Sequence, residues 1–238
     1  MTDAKQENQP PKESLLLNIA LNILIPTLIL TKLSGEAHLG PTMAVIVALA
    51  FPIGYGVYGF IRQKKVNLLS GLGVVSVLLT GGISLLELDP KYIAIKEAAI
   101  PALIGVATLI STYTKYPLVK VFLYNDTVLN TQKISTQLDA RQTASQFETT
   151  LVYASYMVAA SFFVSAVLNY VLAKVIVVSQ PGTEAFATEL GKMTAYSYVV
   201  IMIPSVAVMC AAMFYLFKRI TALTGLQLED VFNEPPQK

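Results

Sequence analysis

Apolar and polar residues along this chain fall into long blocks rather than into the short periods of surface helices or strands. Six nearly uninterrupted apolar stretches, Leu15–Thr31, Pro41–Ile61, Val66–Leu86, Ala98–Tyr113, Thr150–Leu172 and Met193–Phe217, alternate with shorter polar ones. A hydrocarbon core roughly 30 Å thick takes about 20 helical residues at about 1.5 Å each, and unpaired backbone cannot sit in lipid. The pattern predicts an all-α, polytopic membrane protein with six transmembrane helices. Composition agrees: charged residues make up 13% of the chain, against about 25% in soluble domains.

The positions of the 17 Lys and Arg residues orient the spans. With the N-terminus inside, twelve of them fall in inner segments, among them Arg62, Lys64 and Lys65 in one short turn, and five (Lys32, Lys91, Lys96, Lys174, Lys192) in outer ones. That is a positive-inside bias, and it places both termini in the cytoplasm. Assigned to membrane flanks, these cations leave no basic face for nucleic acid. The tail before the first stretch carries Asp3, Glu7 and Glu13, and no small-residue exit follows the stretch, so it reads as an uncleaved span rather than a signal peptide.

The expected organisation is a disordered tail (1–14), spans 1 to 4 (15–113), a connection (114–149), spans 5 and 6 (150–217) and a second cytoplasmic tail (218–238). The connection opens on Pro117, Leu118, Val119, Val121, Phe122 and Leu123, then becomes Ser/Thr/Gln-rich with Ile134, Leu138 and Phe147. It reads as an interfacial amphipathic stretch leading into a helix or loop. As the one sizeable soluble piece, 115–149 is either a docking surface for a protein partner or a tether between two halves. Pro181-Gly182 signals a turn, and Thr183 is a candidate N-cap for a brief helix entering span 6. Ile25-Pro26-Thr27-Leu28-Ile29 and Ile100-Pro101-Ala102-Leu103-Ile104 share a pattern that hints at a three-plus-three duplication.

Charge inside a span is costly, so it marks candidates. Span 4 as drawn covers only about 24 Å by helical rise, which draws Tyr92–Glu97 toward the membrane. Asp89, Lys96 and Glu97 then form a candidate cluster at the outer interface; the plainer reading has Asp89 starting a helix, Lys96 snorkelling and Glu97 solvated. Uncharged polar residues recur four apart: Asn18 and Asn22 in span 1, Ser76, Thr80 and Ser84 in span 3, Ser161, Ser165 and Asn169 in span 5. That spacing puts each set on one helix face, as interhelical glue or as a polar path. Ala98/Ala102 and Ala207/Ala211 suit close packing, and Pro26, Pro52, Pro101 and Pro204 permit kinks within spans.

Other signals fail. Gly54-Tyr-Gly56-Val-Tyr-Gly59 matches a dinucleotide fingerprint by letter but lies inside span 2 without a βαβ context. His38 has no ligand partners nearby in sequence, Cys210 is the single cysteine, and no hydrolase or phosphate-loop motif occurs. No cofactor, metal or catalysis is expected.

The order Gly40-Pro41, Arg62–Lys65, Asp89-Pro90-Lys91, Lys96-Glu97, Ile104-Gly105 and Ile110-Ser111 resembles the intracellular septation protein A group of bacterial inner-membrane proteins and its uncharacterised six-span relatives. The resemblance implies a multi-pass protein of the bacterial inner membrane, linked in some members to envelope or septation upkeep, without established catalysis, and with Pro41, Asp89, Pro90, Lys96 and Glu97 as the positions to watch. The chain departs from that pattern in its long Gln/Thr-rich fourth connection and its lack of tryptophan. The expectation is a non-enzymatic accessory or scaffold; the alternative is a small-solute or ion transporter with a polar path between spans 1, 3 and 5. A weaker third reading is a lipid-directed enzyme using Asp89 and Glu97.

Overall fold

The computed structural model describes residues 15–63, 68–114, 117–126 and 129–233. The expected tail at 1–14 and the last five residues (234–238) of the one expected at 218–238, together with Lys64, Lys65 and Lys115, lie outside them. Among the described residues the chain is helical, without strands. In chain order the helices are α1 (Leu15–Ile19), α2 (Ile25–Lys32), α3 (Gly40–Gln63), α4 (Leu68–Leu85), α5 (Lys91–Ser111), α6 (Val119–Phe122), α7 (Thr131–Ala140), α8 (Ala144–Ile176), α9 (Glu184–Ser197), α10 (Ile203–Thr224) and α11 (Leu228–Val231).

Among the described residues four helical segments are long and apolar enough to cross a membrane: Gly40–Gly59, Lys91–Ser111, Ala144–Ile176 and Glu184–Thr224. The stretches drawn as spans 1 and 3 appear as shorter apolar helices, Leu16–Lys32 and Val74–Leu85, among the described residues. Two boundaries shift for visible reasons. Helix α5 starts at Lys91 because the Asp89 carboxylate accepts the Lys91 N–H at 2.8 Å, capping the helix seven residues before the apolar run begins. Helix α9 starts where expected, since Thr183 Oγ1 accepts the Phe186 N–H at 3.2 Å. It does not stop, however, but continues through a π turn (Tyr198–Met202) into α10.

A second π turn, Ala20–Leu24, joins α1 to α2. Each π turn is followed by Ile-Pro, Ile25-Pro26 in one case and Ile203-Pro204 in the other. Proline has no N–H to donate and its ring crowds the carbonyl four residues earlier; a widened turn relieves that clash without ending the helix.

The chain divides into two compact units, one made of residues 1–96 and 171–198, the other of 97–170 and 199–238. In the first, Ile29, Leu30, Ala44, Val45, Ala48, Ile93, Phe186, Ala187 and Leu190 form the core. Small residues let its helices approach closely. A Cβ on Gly191 of α9 would lie 2.9 Å from Thr31 Cγ2 and 3.0 Å from Leu30 Cβ of α2, so glycine is required by contact rather than by turn geometry. Glu189 pins the loop before α9: one carboxylate oxygen accepts the N–H groups of Val178 and Ser179, both at 2.9 Å, and the other accepts the Ser179 hydroxyl at 2.7 Å.

In the second unit the connection is folded, not loose. Val119, Leu123, Leu129, Ile134, Leu138 and Phe147 pack with Leu216, Ile220, Leu223 and Val231. The C-terminal segment returns to them: the Asn130 N–H donates to the Val231 carbonyl at 2.9 Å, and Lys133 Nζ pairs with Asp230 at 2.7 Å. Helix α10 ends at Gly225, whose φ of +68° is the left-handed cap that glycine supplies. Of the apolar residues that gave 115–149 its amphipathic look, Val119, Leu123, Ile134, Leu138 and Phe147 are therefore spent on this core, and the exposed side chains of α7 are mostly polar.

Candidate functional site

The cluster with the most chemistry lies in the first unit, where α4 and the first turns of α5 meet. Lys96 is 8% exposed. Its ammonium donates to Thr80 Oγ1 at 2.8 Å and to Ser76 Oγ at 3.2 Å. Thr80 in turn donates its own hydroxyl to the Ser76 carbonyl at 3.1 Å. Thr80 and Ser84 are buried as well, so the hydroxyl face of α4 is turned inward.

Local sequence explains the geometry. Ser76, Thr80 and Ser84 are one helical turn apart, and α4 carries no charged residue to compete for the facing side chain. The α4–α5 connection is only five residues, 86–90, and it positions α5 by the Asp89 cap. Lys96 then lies roughly 7.5 Å along α5 and Thr80 roughly 7.5 Å back from the end of α4, by helical rise. A lysine stem spans what distance remains. The result is an ammonium held below the ends of two apolar helices by uncharged hydroxyls.

Asp89 and Glu97 complete the expected outer cluster. Asp89 is exposed and pairs with Lys91 at 3.1 Å; the Lys91 backbone N–H, and then its ammonium, hold the Asp89 carboxyl below the ordinary carboxylate value. Glu97 follows Lys96 by one position, which turns it about 100° around the helix, and it is half-buried.

The remaining polar sets bond mostly within their own helices. Asn22 Nδ2 donates to the Asn18 carbonyl at 3.0 Å and to its Oδ1 at 3.3 Å. Asn169 Nδ2 donates to the Ser165 carbonyl at 2.8 Å and its Oγ at 3.3 Å. Ser161 does cross between helices, donating to the Ser205 carbonyl of α10 at 2.9 Å. Asn18 and Asn22 belong to the first unit, and Ser161, Ser165 and Asn169 to the second. Two hydroxyls that sequence reasoning passes over, Thr27 Oγ1 and Ser205 Oγ, are buried without a partner among the described residues. Each directly follows the proline of a π-turn segment, where the regular back-bond to the preceding turn is disturbed.

Among the described residues no group of three or more His, Cys, Asp or Glu side chains is placed to hold a metal ion. Comparison with models of known protein families, with curated proteins and with solved structures finds no match to this chain.

Proposed function

We propose that the protein is a six-span, non-enzymatic protein of the bacterial inner membrane, with both termini cytoplasmic, that carries a small polar solute or ion across the bilayer by way of the Lys96–Ser76–Thr80 cluster. One observation carries this reading: a buried lysine bonded to hydroxyls between helices otherwise made for lipid. A lysine costs roughly 2.5 to 3.5 kcal/mol at the centre of a span and less toward its ends, and interhelical hydrogen bonds in membranes return roughly 0.6 kcal/mol each. Packing alone would be better served by leucine. A residue kept against its own insertion cost is a residue in use.

A second reading is favoured by the resemblance of Gly40–Ser111 to the septation protein A group. Under it the chain is an accessory of envelope upkeep that contacts a protein partner through the polar outer face of 115–149. Flux separates the two. Purified protein reconstituted into proteoliposomes is assayed for uptake of a panel of labelled inorganic ions and small metabolites, with Lys96→Gln and Ser76→Ala beside the wild type. The transport reading requires uptake by the wild type that falls at least ten-fold in Lys96→Gln. A panel without uptake, together with loss of a co-purifying partner when the exposed α7 side chains are replaced, supports the accessory reading.

A further inference from the structure

We infer that Tyr113, Tyr153 and Tyr156 form a lipid-headgroup anchor that fixes where the second unit leaves the bilayer, so that the residues of α8 before Tyr153, together with α7 and α11, stand in water on that side. The inference needs the chain to span a bilayer, as its long apolar helices suit it to do, and does not depend on transport. All three tyrosines are exposed. The rings of Tyr153 and Tyr156 meet edge to face with centroids 6.3 Å apart, and the phenols of Tyr156 and Tyr113 share a hydrogen bond. An apolar ring with a polar tip suits the boundary between hydrocarbon and headgroups. Singly exposed rings are ordinary on any surface; here two helices bring three into one patch.

Exposed side chains change character at that level on three helices. Along α8, Gln146 and Glu148 give way to the two tyrosines and then to Val164 and Val167, with Lys174 at the far end. Tyr153 and Lys174 are roughly 31 Å apart by helical rise. Helix α5 repeats the measure: exposed Tyr92 and Tyr113 are also roughly 31 Å apart, with Leu103 and Ile110 exposed between them. Both lengths match a hydrocarbon core of roughly 30 Å. A lipid layer accounts for equal bands on two helices, whereas a protein partner has no reason to produce them. On α10, exposed Phe214 is followed by exposed Lys218 and Arg219. Ala212 and Leu216 share a core with Leu151 and Ala154 of α8, which sets Phe214 level with the tyrosines. Helix α8 runs 33 residues, roughly 50 Å, about 20 Å more than the core needs, and most of the surplus is its polar beginning.

The chain contains no tryptophan, so one introduced tryptophan reports alone. Full-length Tyr113→Trp, Tyr153→Trp, Leu103→Trp and Gln146→Trp proteins are reconstituted into phosphatidylcholine–phosphatidylglycerol vesicles with bromine either high on the acyl chains or near their ends, and titrated separately with iodide on both sides. Leu103→Trp should be quenched best by the deep bromine and escape iodide; Gln146→Trp should be quenched by iodide alone. The two tyrosine-site variants should be quenched at least about two-fold more by the shallow bromine than by the deep one. If Tyr153→Trp does not fold, Tyr113→Trp, at the most exposed of the three positions (84%), carries the comparison. Quenching at 113 and 153 by iodide alone, or best by the deep bromine, would overturn the inference, and so would quenching by neither, the result of a protein partner covering the patch. Leu103→Trp open to iodide and untouched by bromine would sink the membrane reading and this inference with it. None of these outcomes touches Lys96, so flux in proteoliposomes decides the transport reading separately.

Discussion

Replacing Lys96 by leucine should make the protein more stable. The substitution removes two interhelical hydrogen bonds, to Thr80 at 2.8 Å and Ser76 at 3.2 Å, a loss of roughly 1.2 kcal/mol at roughly 0.6 each. On α4 it leaves little stranded, because Thr80 still donates to the Ser76 carbonyl and Ser76 is half-buried. Against this stands the insertion cost. Leucine and lysine differ by roughly 3 to 4 kcal/mol at the centre of a span, and about half of that is a fair share for a residue lying roughly 7.5 Å from the helix end. Over these contributions the balance favours Lys96→Leu by about 0.3 to 0.8 kcal/mol, with solute binding lost. Chemical unfolding in bicelles, followed by tyrosine fluorescence and circular dichroism, measures the difference. A Lys96→Leu protein less stable than wild type by more than about 1 kcal/mol would refute the reasoning, because the lysine would then be a structural element with no need of a functional explanation.

Gly191→Ala should lower the unfolding midpoint, since its Cβ would press on Thr31 Cγ2 at 2.9 Å and Leu30 Cβ at 3.0 Å; overpacking of about 1 to 3 kcal/mol outweighs the gain of about 1 kcal/mol in helix propensity. Gly82→Ala, where nothing lies within 4 Å, should leave the midpoint unchanged or raise it, and equal effects at the two glycines would contradict the packing account. In the second unit, Lys133 holds the Asp230 carboxyl below its ordinary value of 3.8. A lowered carboxyl stabilises the fold above the unfolded value and loses that contribution as pH falls through the folded one. Amide exchange at Asn130, which donates to Val231, should therefore quicken on acidification below about pH 4, and Asp230→Asn should exchange at the quickened rate at every pH. The pair is solvent-exposed, so the effect is small and local; insensitivity of the Asn130 amide to both changes would rule it out.

What could be read from the sequence follows the range of the physics involved. Thr183 and Asp89 are legible as helix starts because capping is settled within three residues. The inward face of Ser76, Thr80 and Ser84 is legible because a spacing of four defines a face wherever the helix goes. What faces it is not: chain proximity groups Lys96 with Asp89 and Glu97, and gives no sign that its ammonium reaches 16 and 20 residues back, to Thr80 and Ser76. Periodicity assigns a side chain to a face and leaves its partner across the groove undetermined. The folded state of 115–149 is hidden for a similar reason. Ile134, Leu138 and Phe147 look like an unpartnered amphipathic surface until Leu216, Ile220 and Leu223 of α10 and Val231 of the short helix Leu228–Val231 join them in one core, and the four residues of that short helix carry too weak a pattern to announce its part. Pro26 and Pro204 advertise disturbed helices, but not that the disturbance is a π turn that lets both helices continue.

The central claim is that the Lys96 cluster is a place a solute reaches from water. The most direct measurement is thiol labelling of Ser76→Cys in a Cys210→Ser background, in sealed membranes, with a charged, membrane-impermeant reagent. The account predicts labelling of position 76 by the reagent from the aqueous phase. A Ser76→Cys thiol that stays unmodified, while a control cysteine at exposed Leu86 is labelled under the same conditions, would show a dry, closed packing contact and contradict the account.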